Sequence, residues 1–138
     1  MLLSMNEGER FKFAKKERIS GEKRVETLFA NGNSFMAYPF KVVWLKEERA
    51  SITATSILVS IPKKRLKKAV DRNRMKRLAR EAYRLHKHHL TDLMRAGVEH
   101  LEVAFIYVRD EPSDFVTIEK GIVKAIRELG RINQITTA

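Results

Sequence analysis

The sequence predicts an α+β fold, a small sandwich of helices on a sheet, and three observations predict it. Apolar residues alternate with period two near 40–45, 56–61 and 101–108, the pattern of strands with two distinct faces. Elsewhere apolar residues recur at three- and four-residue spacing, the pattern of amphipathic helices. The two kinds of segment are interspersed along a chain of 138 residues, long enough for one core that buries roughly two thirds of the unfolded surface.

Ser20 is placed to cap a first helix running to about Ala30, with Val25, Leu28 and Phe29 on its inward face and Gly32 to end it. A short strand near Ser34 to Met36 precedes two longer ones. In the first of these Phe40, Val42 and Trp44 alternate with Lys41, Val43 and Leu45; in the second Ile57, Val59 and Ile61 alternate with Ser56, Leu58 and Ser60. Pro62 suits a strand end followed by a turn. A long helix is expected from about Leu66 to Leu90, then a strand from Leu101 to Val108 with Val103, Phe105 and Tyr107 on one face. Ser113 is placed to cap a last helix, whose Phe115, Ile118, Ile122, Ile126 and Leu129 form one stripe that must bury against the sheet. The resulting order is α-β-β-β-α-β-α. With no internal repeat and no Pro/Gly/Ser-rich boundary, residues 10–132 are expected to form a single domain, and the polar ends, 1–9 and 133–138, to be flexible.

Charge is the feature that points to function. Twenty-eight Lys and Arg against 17 Asp and Glu give a net charge of +11, a field that attracts polyanions. The charge is a patch: residues 61–80 hold ten bases and one acid, Asp71, whereas residues 101–129 hold four bases and six acids. The chain has no cysteine, which excludes disulfides, thiolate zinc sites and cysteine nucleophiles. Residues 1–5 are too short for a signal-peptide core, and no apolar stretch approaches the roughly 18 residues that span a bilayer, so a soluble, cytoplasmic protein is expected.

The long helix carries the patch. At about 100° per residue, Met75, Leu78, Ala82 and Leu85 fall on one side, and Arg72, Asn73, Lys76, Arg77, Arg80 and Arg84 gather on the other. A helix face kept basic only for solubility would mix signs to gain i,i+4 pairs, but the nearest acid here, Glu81, lies toward the apolar border. Arginines predominate at 72, 74, 77, 80 and 84, and their planar forks hold phosphate oxygens bidentately or stack on bases. Lys63, Lys64, Arg65, Lys67 and Lys68 extend the patch into the strand-to-helix turn, where free N–H groups and the helix dipole also favour anions.

Other residue clusters read as structural. His86 and His89 share a helix face, but no acid within that helix stands at three- or four-residue spacing from both, so solvated or RNA-contacting histidines are expected and no specific metal site. Asp110, Glu111 and Asp114 form the one tight acidic cluster; it reads as a turn leading into a helix N-terminus, not as a Mg²⁺-binding nuclease centre. Trp44, Phe40, Phe105 and Tyr107 can serve as RNA stacking platforms, and core packing is the stronger reading for most of them. Alternation leaves Tyr38 and Tyr83 unassigned.

Two runs carry a family resemblance. Ile57-Leu58-Val59-Ser60-Ile61-Pro62-Lys63-Lys64-Arg65, followed by Lys67-Lys68-Ala69-Val70-Asp71-Arg72-Asn73-Arg74-Met75-Lys76-Arg77-Leu78-Ala79-Arg80-Glu81-Ala82, resembles the RNR signature region of bacterial ribonuclease P proteins. The resemblance extends over Phe13 to Ile19, the first helix to Phe29 and Gly32, Phe40, and the closing strand and helix. It implies a small basic subunit that joins a catalytic RNA to remove the 5′ leader of precursor tRNA, with an unusual left-handed β-α-β crossover around the signature helix; spacing alone selects the usual right-handed one.

The same resemblance implies that the protein supplies no catalytic residue, that Mg²⁺ is bound mainly by the RNA and not tightly by the protein, and that no membrane or obligate protein partner is involved. It assigns contact with ribonuclease P RNA to Arg72, Asn73, Arg74, Lys76, Arg77 and Arg80, and the basic patch adds Arg84 and the turn residues Lys63, Lys64, Arg65, Lys67 and Lys68 as RNA-binding candidates. The resemblance places a cleft for the 5′ leader at Val25, Phe29, Lys41 and Val43, with valines where other members can present an aromatic. Lys67 stands where many members have glycine. Composition alone also admits a ribosomal or other structural RNA-binding protein, and a DNA binder with the long helix in the major groove; the continuous signature argues against both.

Overall fold

A computed structural model describes residues 18–19, 21–48, 55–92 and 99–137. The elements are α1 (Glu22–Asn31), β1 (Asn33–Ala37), β2 (Phe40–Glu48), β3 (Thr55–Ser60), α2 (Ala69–His86), the short α3 (His88–Thr91), β4 (Glu99–Tyr107) and α4 (Phe115–Thr137). The predicted order holds, with α3 added.

The four strands lie in the order β1-β2-β4-β3. β1 and β4 flank β2 antiparallel, with Met36 opposite Lys41 and Lys41 opposite Ile106, while β3 runs parallel to β4 with α2 in the connection between them. The segment before α1 touches the free edge of β3, where the Ile19 N–H donates to the Ile57 carbonyl at 2.8 Å.

Both sheet faces are used, which is why the strands alternate yet stay apolar in their middle. On one face Phe40, Val42, Ile57, Val103, Phe105 and Tyr107 pack against Met75, Ala79, Ala82 and Tyr83 of α2 and Ile118, Ile122, Ile126 and Leu129 of α4. Edge-to-face rings, Phe40 with Phe105 at 6.0 Å and with Tyr107 at 5.7 Å, fill its centre. On the other face α1 covers a smaller cluster of Ile19, Leu28, Val43 and Ala104. Leu28 is fully buried, a contribution of about 1.5–3 kcal/mol.

Several local expectations change. The Arg72 guanidinium donates to the carbonyls of Leu66 and Lys67 at 3.0 and 2.8 Å; these residues stay outside the helix, and α2 starts at Ala69 instead of Leu66. It stops at His86, and α3 follows Lys87. Its docking stripe is Met75, Ala79, Ala82 and Tyr83; Leu78 and Leu85 are only partly covered. Tyr83, unassigned by alternation, is buried with its hydroxyl 2.6 Å from the Thr55 hydroxyl.

Ser113 is not the cap of α4. Its hydroxyl is buried between the Tyr107 hydroxyl, 2.7 Å away, and Arg109. The neighbouring Asp114 carboxylate takes the capping bond from the Thr117 N–H at 2.9 Å. Ser20 lies outside the described residues, and α1 begins after Gly21 without a side-chain cap. Gly32 does end α1, through its N–H to the Leu28 carbonyl. Phe29, expected inward, is 44% exposed. Residues 1–9 lie outside the described part, and α4 continues through the segment from 133 to 137.

Candidate nucleic-acid interface

The basic face of α2 stands on a rigid base, because Met75, Ala79, Ala82 and Tyr83 fix the helix against the sheet. Opposite them Asn73, Arg74 and Arg77 are exposed and Lys76 and Arg80 half-buried. Arg80 has its pKa lowered, first by burial and then by the nearby Arg18 guanidinium. Burial and a neighbouring cation both disfavour the charged form of a guanidinium, and a phosphate at this face would offset both. Arg18 was not among the residues singled out from the sequence. It precedes the first helix in sequence, and its bridge to Ile57 places it at the edge of β3.

Three arginines of the predicted set already have work within the protein. Arg72 holds the Leu66 and Lys67 carbonyls just before α2. Arg65 pairs with Asp110 at 3.0 Å. Arg84 pairs with Glu81 at 2.6 Å, and that hydrogen bond lowers the Glu81 pKa and raises the Arg84 pKa. Glu81 thus belongs to the basic face instead of to its border. Exposed Lys63, Lys64, Lys67 and Lys68 line the turn leading into α2 and continue the cationic track.

The second candidate surface is the face of the sheet that carries α1. Arg24 pins the helix there through two bonds, 3.2 and 2.9 Å, to one oxygen of the buried Glu102 carboxylate. Val43 is buried beneath the helix and Val25 half-buried at its border. Both serve as packing, and Lys41 and Phe29 are the exposed members of the predicted cleft set. The strand register adds neighbours that sequence reasoning missed: Met36 and Ile106 stand directly opposite Lys41 on either side, and Met36 is 54% exposed. The signal for Met36 was the period-two pattern of β1, which was too short to orient from sequence.

The remaining clusters resolve into structure. Asp110 holds Arg65, Glu111 pairs with Arg109 at 3.2 Å, and Asp114 caps α4, so the three acids do not converge. Among the described residues no three His, Asp or Glu side chains come together as metal ligands. His86 does find an acid, from another element: its Nε2 is 2.9 Å from Glu119 of α4. Phe40, Phe105 and Tyr107 are core residues and Trp44 packs on the same core.

Similarity to known proteins covers most of the chain. A family profile described as Ribonuclease P matches residues 13–129. The ribonuclease P protein component of Porphyromonas gingivalis is 40% identical over 116 residues, covering 84% of this chain and 85% of the relative. That of Chlorobium phaeobacteroides is 30% identical over 132 residues, covering 88% and 90%. In structure the chain resembles the RNase P protein of Staphylococcus aureus, with a TM-score of 0.61 at 21% identity over 86% of this chain and 98% of that one. The RNase P protein of Thermotoga maritima gives 0.61 at 20% identity over 81% and 96%.

Proposed function

The chain belongs to the ribonuclease P protein family, as a component of that endoribonuclease ribonucleoprotein and a partner of its RNA, and we propose how its two surfaces divide the work of tRNA 5′ maturation. The face of α2 around Asn73, Arg74, Lys76, Arg77 and Arg80, with the lysines of the preceding turn, binds ribonuclease P RNA. The open half of the sheet around Lys41, Met36 and Ile106 takes the single-stranded 5′ leader of precursor tRNA. The observation that carries this reading is the cationic face of α2, with Arg74 and Arg77 exposed and Lys76 and Arg80 half-buried on a helix fixed to the sheet, a surface suited to phosphate.

The chemistry then belongs to the RNA. Asp110, Glu111 and Asp114 are engaged with arginines or a helix end, which does not suit a Mg²⁺ centre; we place the Mg²⁺ that activates water on the RNA subunit. The protein contributes positive charge, which lets the complex fold and hold substrate at lower Mg²⁺. No described helix is long and apolar enough to cross a membrane, and we propose the cytoplasm as its site of action. The test is reconstitution with a bacterial ribonuclease P RNA and a leader-bearing precursor tRNA at low Mg²⁺. Cleavage at the mature 5′ end should rise when the protein is added, and the protein alone, treated to remove RNA, should cleave nothing. A protein that changes neither cleavage nor substrate binding refutes the reading.

A further inference from the structure

A groove of about 720 Å³ runs between the end of α2 and α4, on the side of the sheet opposite α1. Its floor is apolar, with Val123, Ile126 and Gly130, and one wall carries the rings of His86 and His89. These rings are nearly parallel, 22° apart in plane with centroids at 6.2 Å. The bond to Glu119 holds the first of them in place. Arg127 and Arg131 stand on the opposite rim. Arg131 is tied to Glu128, whereas among the described residues Arg127 makes no ion pair. An apolar lining, the exposed His89 ring backed by His88 at 4.0 Å and a guanidinium suit a nucleotide, with the base on the ring and lining and the phosphate on the arginine.

A second, smaller groove of about 210 Å³ shares Arg127 and Glu128 with the first and runs past Lys124 to Phe35 and Met36 of β1. β1 is an edge strand of the sheet, and Met36 stands opposite Lys41, at the mouth of the surface assigned above to the leader. The two sheet faces are thus joined around the β1 edge by a track carrying Lys124 and Arg127. Along α4, Lys120, Lys124, Arg127 and Arg131 recur at four- and three-residue spacing and are all exposed, so the bases outnumber Glu119 and Glu128, the two acids beside them.

We propose that this α4 groove is a second binding site for single-stranded RNA, taking leader nucleotides that lie 5′ of those held beside Lys41, with His89 stacking on a base and Arg127 holding a phosphate. It rests on the assignment of the leader to the Lys41 surface, and the test separates the two. Holoenzyme reconstituted with the full-length protein is titrated with precursor tRNAs whose leaders are graded in length, from a leader that ends at Lys41 to one long enough to round β1. Wild type should gain affinity between the short and long leaders. The double variant His89→Ala with Arg127→Ala should lose about tenfold on the long leader, the size of one base–aromatic stack, and nothing on the short one. His89→Phe, which keeps a stacking ring, should retain the gain, and its loss there overturns the stacking role. A double variant that binds every leader like wild type overturns the proposal. So does one that weakens all leaders equally, or that weakens assembly with the RNA subunit instead. Failure of the Lys41 assignment reads differently, as a Lys41→Glu variant that is indifferent to the presence of any leader.

Discussion

At the scale of single residues, arginines of one helix face do different things. Arg77 points to solvent, while the Arg72 guanidinium is bonded to two carbonyls of its own chain. Arg72→Ala should therefore weaken RNA binding and also destabilise the fold by roughly 1.5 kcal/mol, the low end for hydrogen bonds to a charged group because the site is half-exposed. Arg77→Ala should weaken RNA binding while leaving the denaturation midpoint unchanged. Urea unfolding beside an RNA-binding titration separates the two; equal midpoints for both variants would contradict the role given to Arg72. Asp114 offers a pH test. Its carboxyl pKa is lowered by hydrogen bonds from the Thr117 side chain and then its backbone N–H. A folded pKa below the unfolded one gives stability that is present above the unfolded value and is lost as pH falls through the folded one. Asp114→Ala should thus lower the melting temperature at neutral pH and match wild type in strong acid, whereas Asp114→Asn, still a good cap, should lose much less at neutral pH. A deficit for Asp114→Ala that persists in acid would refute the cap as its cause.

At the scale of elements, the seat of α1 depends on a close approach. A Cβ on Gly32 would stand 2.5 Å from the Leu28 carbonyl and 2.9 Å from Val43 Cγ1. The φ there is an ordinary −77°, so the requirement is for space. Gly32→Ala should cost roughly 1–3 kcal/mol, as overpacking does, visible as a lower melting temperature; unchanged stability would show that the helix end can shift. Sequence patterns revealed these elements well where the physics is local. The strands were legible because alternation records two faces, and α4 because its stripe of Ile118, Ile122, Ile126 and Leu129 is continuous. The start of α2 was not, since a side chain six residues away occupies the Leu66 carbonyl. Between two good capping residues, Ser113 and Asp114, the choice falls to the Tyr107 hydroxyl, which binds Ser113. In the candidate site the i,i+3 spacing of Glu81 and Arg84 already allowed their pair, but Arg65 meets an acid 45 residues on, beyond any pattern. Val43 looked like a cleft residue until the position of α1 showed it covered.

At the scale of the whole molecule, the sheet separates the two proposed RNA surfaces, with α2 packed on one face and the Lys41 row on the other. Surfaces on opposite sides of a rigid layer can be damaged independently. Replacing Arg74 and Arg77 together with Ala removes two exposed guanidinium forks from the α2 face. For every phosphate no longer neutralised, the dependence of log affinity on log salt should fall by about 0.7 to 0.9. The double variant should therefore assemble with ribonuclease P RNA more weakly at moderate salt and along a shallower slope. The deficit should not depend on the substrate when the leader ends at Lys41, because Arg74 and Arg77 lie on the other side of the sheet from that strand surface. Lys41→Glu places an acid where a leader phosphate is expected, between Met36 and Ile106. Assembly with the RNA should keep the wild-type slope, and binding should weaken only for substrates whose leader reaches the strand. Leaderless tRNA is the control, and affinities measured at several salt concentrations give both readouts from one set of titrations. An arginine defect that vanishes when the leader is removed, or a Lys41→Glu defect that persists on leaderless tRNA, would mean that one continuous surface handles both RNAs and that the sheet does not divide their binding.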